Sequence, residues 1–157
     1  MELHSDPELL EKTVDIIVKK AQFQEPFAFM YANLCKKITE TWNSLMVPED
    51  TSGEAGEGGG DEKESNSYGR VFRVKLLTRC QEEFNVDRAA KLEEIRNRTD
   101  LDAEDKEEQE IIQKMKFNGH MRFVGEIYGL DLVKASTLLS CIKEFFVVPD
   151  EENLVCL

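Results

Sequence analysis

Apolar residues recur three and four positions apart through most of the chain, which is the spacing that buries one face of an α-helix. The clearest example is the series Leu10, Val14, Ile17 and Ala21. No segment shows the strict apolar–polar alternation of a half-buried strand, so the pattern predicts an all-α protein. It predicts helices at about 6–21, 26–46, 68–96, 103–128 and 132–147, and the start of another at 151.

The most apolar helical segment covers residues 114–129 and organises the rest of the predicted fold. Its apolar side chains lie on two sides of the helix, so we expect it to pack between neighbouring helices as a middle layer. Gly119 and Gly125 each cost about 1 kcal/mol relative to alanine, and we expect a close backbone contact to offset that cost. Gly129 suits the left-handed residue that often follows the last turn of a helix.

Short polar signals mark where the helices begin. Ser5 is the predicted N-cap of the first helix, with Pro7 in the first turn and Glu8 three residues after the cap. Pro26 opens the second helix after a short turn, and Asp131 is the predicted cap of the fifth helix. Turns this short force consecutive helices into antiparallel pairs.

Antiparallel helix pairs at repeat-sized intervals favour a HEAT-type helical-hairpin solenoid, of which this chain is a part. A four-helix bundle is the alternative that the pattern leaves open. The second helix is the main test of the packing, because its predicted apolar stripe includes several large side chains. That stripe consists of Phe27, Met30, Tyr31, Leu34, Ile38, Trp42 and Leu45.

Residues 48–67 form a predicted disordered, acidic, glycine-rich loop inside the domain. The loop carries seven acidic residues and one lysine with almost no apolar side chain, so burial cannot offset the entropy lost on ordering it. Its run of Gly58, Gly59 and Gly60 is not a phosphate-binding loop. The Gly-Lys-Ser/Thr ending is missing, and an acidic loop repels phosphate.

The net charge of −12 is concentrated in two segments. Residues 48–67 and residues 100–110 each carry a net charge of −6, which leaves the rest of the chain neutral. A neutral body can present a basic surface, so an anionic partner remains open. The apolar fraction of 41% and the charged fraction of 33% are typical of one soluble domain with a core.

Residues that could carry chemistry are sparse. The four cysteines are widely spaced within apolar helical patterns, which is typical of buried, reduced thiols in an intracellular protein. The two histidines, His4 and His120, have no positioned partner, so we expect a structural or surface role for them. We find no nucleophile motif, dinucleotide loop or metal-ligand spacing, and we expect no enzymatic activity, no small-molecule substrate, no cofactor and no metal.

The sequence also lacks the patterns that place a chain in a membrane or in the secretory pathway. No apolar run approaches the roughly 18 residues that a membrane span requires. The acidic first residues lack the basic and apolar regions of a signal peptide. These observations predict a protein without a membrane partner.

Basic residues gather on two predicted helices and are the best candidates for binding. One group contains Arg70, Arg73, Lys75 and Arg79, and the other contains Lys114, Lys116, His120 and Arg122. They favour either a phosphate-binding surface or a docking surface for an acidic partner. The alternative is that they balance nearby carboxylates such as Glu82 and Glu83. Asn33, on a helix rich in core residues, either bonds a neighbouring helix, which we favour, or marks a contact point.

Four blocks of the sequence resemble the middle domain of eukaryotic translation initiation factor 4 gamma, in the same order. The first two blocks are the Glu-Pro-Phe at 25–27 with the Tyr-Ala-Asn-Leu-Cys at 31–35, and the Phe-Arg-Val-Lys-Leu-Leu-Thr-Arg-Cys-Gln-Glu-Glu-Phe at 72–84. The third is the Asn-Gly-His-Met-Arg-Phe-Val-Gly-Glu-Ile-Tyr at 118–128, and the fourth is the Asp-Glu-Glu-Asn-Leu at 150–154. The chain from 6 to 157 is therefore similar to part of that domain.

The resemblance implies a cytoplasmic HEAT-repeat scaffold of translation initiation that helps recruit mRNA to the ribosome. Its implied partners are the DEAD-box RNA helicase of the cap-binding complex, of the initiation factor 4A type, and mRNA. On this basis the expected partner contacts are Arg73, Lys75, Arg79, Arg122, Phe123 and Glu126. The expected RNA contacts are Arg70, Lys114 and Lys116.

Two other functions remain open at this point. One is a translational repressor or mRNA-decay regulator of the same superfamily, which would sequester the helicase or bind a different one. The other is an RNA-binding helical solenoid with no helicase partner. Salt dependence separates the last of these, because phosphate binding weakens steeply with ionic strength and an apolar protein interface does not.

Overall fold

The fold is described from a computed structural model, which defines residues 6–45, 67–86 and 88–139. Within these ranges every regular element is helical, so the prediction of an all-α helical-hairpin solenoid is confirmed. The α-helices are α1 (Pro7–Phe23), α2 (Ala28–Trp42), α3 (Tyr68–Phe84), α4 (Arg88–Asn97) and α5 (Ala103–Gly129). A 3-10 turn at Glu25–Phe27 joins the first two, and a further helical segment begins at residue 135.

Helix α1 is capped by Asp6, one residue later than the predicted Ser5, which lies outside the described residues. The Asp6 carboxylate accepts hydrogen bonds from the backbone N–H groups of Glu8 and Leu9 at 3.0 and 3.1 Å. These bonds satisfy two of the donors that the first turn leaves unpaired. The buried face consists of Leu10, Val14, Ile17, Val18, Ala21 and Gln22, which includes the whole predicted stripe.

Helix α2 buries a different face from the predicted one. Its buried residues are the small side chains of Ala28, Ala32, Cys35 and Thr39. Tyr31, Ile38 and Trp42 pack at the edges of the core, whereas Phe27, Met30 and Leu34 are exposed. The prediction is wrong because it ranks residues by size. Small side chains let the backbone of α2 approach its neighbours closely, and the large ones point outward.

The predicted helix over 68–96 is two helices, so the prediction of one continuous helix is wrong. Helix α3 ends at Phe84, where the N–H of Asn85 still bonds the carbonyl of Gln81, and α4 begins at Arg88. Helix α4 then lies along α5, burying Leu92 and Ile95. Both segments have helical periodicity, so the sequence pattern alone does not reveal the break between them.

Helices α1 and α3 lie parallel. The Nζ of Lys75 is 2.5 Å from a carboxylate oxygen of Glu11, and the Nε of Arg79 is 2.5 Å from one of Asp15. Both pairs join residues 64 positions apart. Two contacts with the same offset, one helical turn apart, require the helices to run in the same direction.

Helix α2 lies antiparallel to α3. The rings of Trp42 and Phe72 meet edge to face with centroids 5.7 Å apart, while Gly69 lies against Asn43, the residue that follows α2. A Cβ at Gly69 would be 2.8 Å from the backbone nitrogen of Asn43. Helices α1 and α2 each pack against both α3 and α5. The four helices therefore enclose one core, whose largest members include Phe72, Leu76, Phe123 and Ile127.

Helix α5 touches the end of α1 through Gly119, as predicted for that glycine. A Cβ at this position would overlap the backbone of Gln22, lying 2.7 Å from its carbonyl carbon. The prediction is wrong for Gly125, which has no atom within 4 Å of its would-be Cβ. Phe117, Val124 and Ile127 are buried, in agreement with a helix that packs between neighbours.

The chain leaves α5 through a left-handed residue, but that residue is Asp131 and not the predicted Gly129. Asp131 has φ of 61°, and the N–H of Leu132 bonds the carbonyl of Ile127 at 3.1 Å, which closes the end of the helix. The prediction that Asp131 caps the next helix is therefore wrong. That helix begins at residue 135, where the Lys134 carbonyl accepts from Leu138.

Several sequence predictions fall outside the described residues. These are the loop over 48–67 apart from its last residue, the helix over 132–147 beyond 139, and the helix start at 151. Ser67, the last residue of the predicted loop, is buried and serves as the N-cap of α3. Its Oγ accepts a hydrogen bond from the N–H of Arg70 at 3.3 Å, so the loop prediction is wrong at this residue.

The two glycines of α5 give a matched test of the packing. Gly119→Ala should lower the free energy of unfolding by about 2–3 kcal/mol, because the added Cβ overlaps the Gln22 backbone. Gly125→Ala should raise it by about 0.5–1 kcal/mol, because alanine favours the helix and meets nothing at this position. Urea denaturation of both variants measures the difference, and equal effects would contradict the close contact between α5 and α1.

Candidate functional site

The predicted binding residue Arg79 lies in a network of ion pairs that joins three helices. Its guanidinium contacts Asp15 of α1 at 2.5 Å and Glu83 of α3 at 2.7 Å. The other oxygen of Glu83 is 2.9 Å from the Nζ of Lys116 on α5. Burial raises the pKa of Glu83, but the hydrogen bonds from Lys116 and Arg79 outweigh it and lower the pKa to about 2. These charges stabilise the helix arrangement.

The other cations of α3 also lie close to carboxylates or the core. Lys75 pairs with Glu11 of α1, and both Arg70 and Arg73 are half-buried. The observed pairing of Arg79 with Glu82 at 3.8 Å and with Glu83 supports the alternative that these cations balance local acids. On α3 the predicted phosphate-binding surface is therefore largely used within the fold.

The predicted contacts on α5 have three different surroundings. Phe123 is fully buried in the core, so the prediction that it touches a partner is wrong. Arg122 is exposed, and its Nη1 is 3.7 Å from a carboxylate oxygen of Glu25 in the turn after α1. Glu126 is half-buried and Lys114 is exposed. The structure brings Lys116 next to Arg79 through Glu83, but it does not gather all the predicted residues into one site.

His120 is a neutral, buried residue with a structural role. Its Nε2 donates to the carbonyl of Cys80 at 3.1 Å, which leaves Nδ1 to accept from the Nε2 of Gln22 at 3.2 Å. The ring also meets Phe84 edge to face at 4.9 Å. Burial is the largest influence on the pKa of His120 and lowers it to about 4. The histidine thus joins α1, α3 and α5 in one hydrogen-bonded chain.

The described residues contain no cluster of histidine, cysteine or acidic side chains that could hold a metal ion. Cys35 and Cys80 are buried free thiols. Burial raises the pKa of Cys35 to about 12, so its sulfur stays protonated at neutral pH and is a poor nucleophile. Among the described helices, none is long and apolar enough to cross a bilayer.

A surface that the sequence prediction missed lies on α2. Phe27, Met30 and Leu34 are 50%, 47% and 44% exposed and follow one side of the helix at i, i+3 and i+7. We call these three residues the turn face, because they begin at the turn after α1. The sequence signal that was missed is a second series at helical spacing, made of small residues, which marks the buried side of α2. Beside this face, Asn33 is exposed and bonds the carbonyl of Phe29 in its own helix at 2.8 Å, so the predicted bond to another helix is wrong.

Comparison with known proteins identifies the family. The MIF4G domain model matches residues 1–157 of this chain. The chain belongs to the MIF4G domain family. This result confirms the resemblance to the initiation factor 4 gamma family.

The MIF4G chain is similar to several curated proteins. It is 30% identical over 135 residues to eukaryotic translation initiation factor 4 gamma 2 of Homo sapiens, covering 86% of this chain and 14% of the relative. It is 28% identical over 162 residues to factor 4 gamma 3 of Homo sapiens, covering 96% of this chain and 9% of the relative. Factor 4 gamma 1 of Mus musculus is 29% identical over 161 residues, again with 96% and 9% coverage. The chain thus spans a small part of the length of these relatives.

The buried histidine makes the stability of this MIF4G domain depend on pH. Because the pKa of His120 is about 4 in the fold and 6.5 when unfolded, its contribution is complete above pH 6.5 and is lost as the pH falls. The loss should reach up to about 3 kcal/mol near pH 4. Glu83, with a pKa of about 2 in the fold against 4.5 unfolded, adds its loss only below about pH 4.5.

Denaturation between pH 6.5 and 4.5 therefore isolates the histidine. His120→Gln should flatten the pH dependence in this window. A wild-type stability that does not fall across the window would show that His120 titrates normally in the fold.

Proposed function

We propose that this MIF4G domain acts in the cytoplasm as a translation-initiation scaffold that docks a DEAD-box RNA helicase of the initiation factor 4A type. The named relatives are translation initiation factors, which supports the role in initiation. The domain contributes a binding surface and carries out no chemistry itself. RNA is a second ligand in this proposal, and the outcome is recruitment of mRNA to the ribosome.

The turn face is the observation on which the docking proposal rests. Large apolar side chains at about half exposure, gathered at helical spacing, are typical of a protein interface. An aliphatic and aromatic centre of this kind supplies most of the binding free energy once water is excluded from it. None of its three side chains belongs to the core around Phe72 and Phe123.

Charged residues border this apolar centre. Arg122 of α5 reaches Glu25, which is two residues before Phe27, and its side chain is 54% exposed. We propose that Arg122 and Glu126 form the polar rim of the docking surface and set the orientation of the helicase. In this proposal Arg73, Lys75 and Arg79 influence docking without touching the helicase directly, because Lys75 and Arg79 are already paired with acids of α1.

A rigid surface of this kind acts by positioning. Binding a lobe of the helicase raises its effective concentration near the other components held by the same scaffold. A surface that contacts one arrangement of the two helicase lobes better than the other also shifts the helicase toward that arrangement. The closed core of α1, α2, α3 and α5 supplies the rigidity that both effects require.

Substitutions in the turn face should weaken docking without unfolding the domain. Met30→Asp and Leu34→Asp each place a charge in the apolar centre, so we expect at least about a tenfold weaker binding to purified helicase by isothermal titration calorimetry. The matched control is Ile16→Asp, which adds the same charge to an exposed apolar residue of α1 and should leave binding unchanged.

Measuring the thermal unfolding temperature of each variant beside its helicase affinity separates binding residues from structural ones. Arg79→Glu breaks the pairs with Asp15 and Glu83, so it should lower the thermal unfolding temperature together with any loss of binding. The turn-face variants should keep the wild-type unfolding temperature. Full helicase binding by Met30→Asp and Leu34→Asp would exclude the turn face as the docking surface.

RNA binding should differ from helicase binding in its dependence on salt. If Arg70, Lys114 and Lys116 contact phosphates, the logarithm of the binding constant for single-stranded RNA should fall with the logarithm of salt with a slope of about −2. Lys114→Ala should make the slope shallower by about 0.7. Fluorescence anisotropy across a salt series measures both, and a slope near zero would contradict phosphate contacts by these residues.

A further inference from the structure

A second exposed seam runs along the side of α5 that faces away from the core. Its six residues are Glu104, Glu108, Ile111, Met115, Asn118 and Arg122, and all of them are exposed, with intervals of four, three, four, three and four. We call this series the α5 seam. The alternation of three and four is the spacing by which a helix packs against another helix in a coiled coil.

The centre of the α5 seam is apolar and about half exposed. Ile111 is 50% exposed and Met115 is 54% exposed, although both occupy the positions that a coiled coil buries. Helix α4 packs on another side of α5, since it meets Phe117 through Arg88 and Glu110 through Arg96. Neither Phe117 nor Glu110 belongs to the seam.

The order of side chains in the seam is complementary to itself when reversed. Acidic residues occupy the first part, apolar residues the middle, and an amide and an arginine the last part. An antiparallel copy, centred midway between Ile111 and Met115, would place Glu104 opposite Arg122, Glu108 opposite Asn118, and Ile111 opposite Met115. Lys114 of one copy would also lie about one helical turn from Glu108 of the other.

We propose that two copies of this chain associate through antiparallel pairing of their α5 seams. A two-fold axis makes every contact occur twice, so two ion pairs flank four apolar side chains. A parallel arrangement is disfavoured, because it would put Glu104 against Glu104 and Arg122 against Arg122. The dimer uses none of the turn-face residues, but it shares Arg122 with the proposed polar rim of the helicase docking surface.

The association should be weak. The seam spans 19 residues of one helix, or about 27 Å, and a contact along a single helix of this length buries less than the roughly 800 Å² per partner of a stable complex. We expect a dissociation constant on the order of 0.1 mM. The net charge of −12 opposes contact at low salt, and at 0.15 M salt it is screened beyond about 8 Å.

Sedimentation equilibrium at 0.15 M salt and protein concentrations up to about 1 mM, about ten times the expected dissociation constant, tests the dimer. The wild-type average mass should rise toward twice that of the monomer. Met115→Glu places two carboxylates at the two-fold axis and should weaken the dimer at least about tenfold. Ile16→Glu, the same charge on an exposed apolar residue of α1, is the control and should dimerise normally.

Charge exchange tests the antiparallel register. Glu104→Arg alone and Arg122→Glu alone should each weaken the dimer about fivefold or more, because both contacts become repulsive. The double variant restores opposite charges and should recover most of the wild-type affinity. Any effect of each substitution within its own subunit is still present in the double variant, so recovery reports the contact between subunits. Circular dichroism confirms that each variant is folded.

The outcomes are decisive in both directions. Dimers that are lost with Met115→Glu and rescued by the double charge exchange establish the antiparallel α5 pair. A chain that stays monomeric at 1 mM, or a dimer that is indifferent to Met115→Glu, overturns the proposal. Failure of the double variant to recover affinity overturns the register, and tighter binding of a basic helical peptide than of a second copy overturns the choice of partner.

Discussion

The contact of Gly119 with the backbone of Gln22 determines how the other helices can pack. It brings α5 so close to the end of α1 that no side chain fits between them. The same approach places His120 between Gln22 and the carbonyl of Cys80, which fixes α3 relative to both helices. A buried polar chain of this kind is favourable only when its members meet at hydrogen-bonding distance, so the glycine and the histidine depend on each other.

The distribution of charge follows from this close packing. Once α1, α3 and α5 are held together, Arg79 and Lys116 lie within reach of Glu83, and two cations stabilise one partly buried carboxylate. The pKa of Glu83 is low for that reason. Cations that resemble a phosphate-binding surface in the sequence are therefore largely engaged in holding the helices, and the surfaces left for partners are mainly apolar.

Among the described residues, the turn face and the α5 seam are two such apolar surfaces, and they differ in composition. The turn face on α2 has aromatic and aliphatic side chains with Arg122 near its edge, whereas the α5 seam has a short apolar centre between an acidic and a basic end. A MIF4G domain can thus present one face suited to a larger protein partner and another suited to a matching helix. Their apolar centres share no residue, so each centre can be changed without altering the other, although Arg122 borders both surfaces.

The sequence alone determined the helical class, the four-block resemblance and the buried face of α1, because periodicity, capping residues and local motifs are properties of neighbouring residues. It also located Gly119 as a close contact. Only the tertiary structure decided which side of α2 is buried, where the segment over 68–96 divides into two helices, and that Phe123 lies in the core. These three features depend on which helix backbones approach each other closely. The helices that meet are distant in the chain, and side-chain size and periodicity within one helix carry no information about which other helix will pack against it.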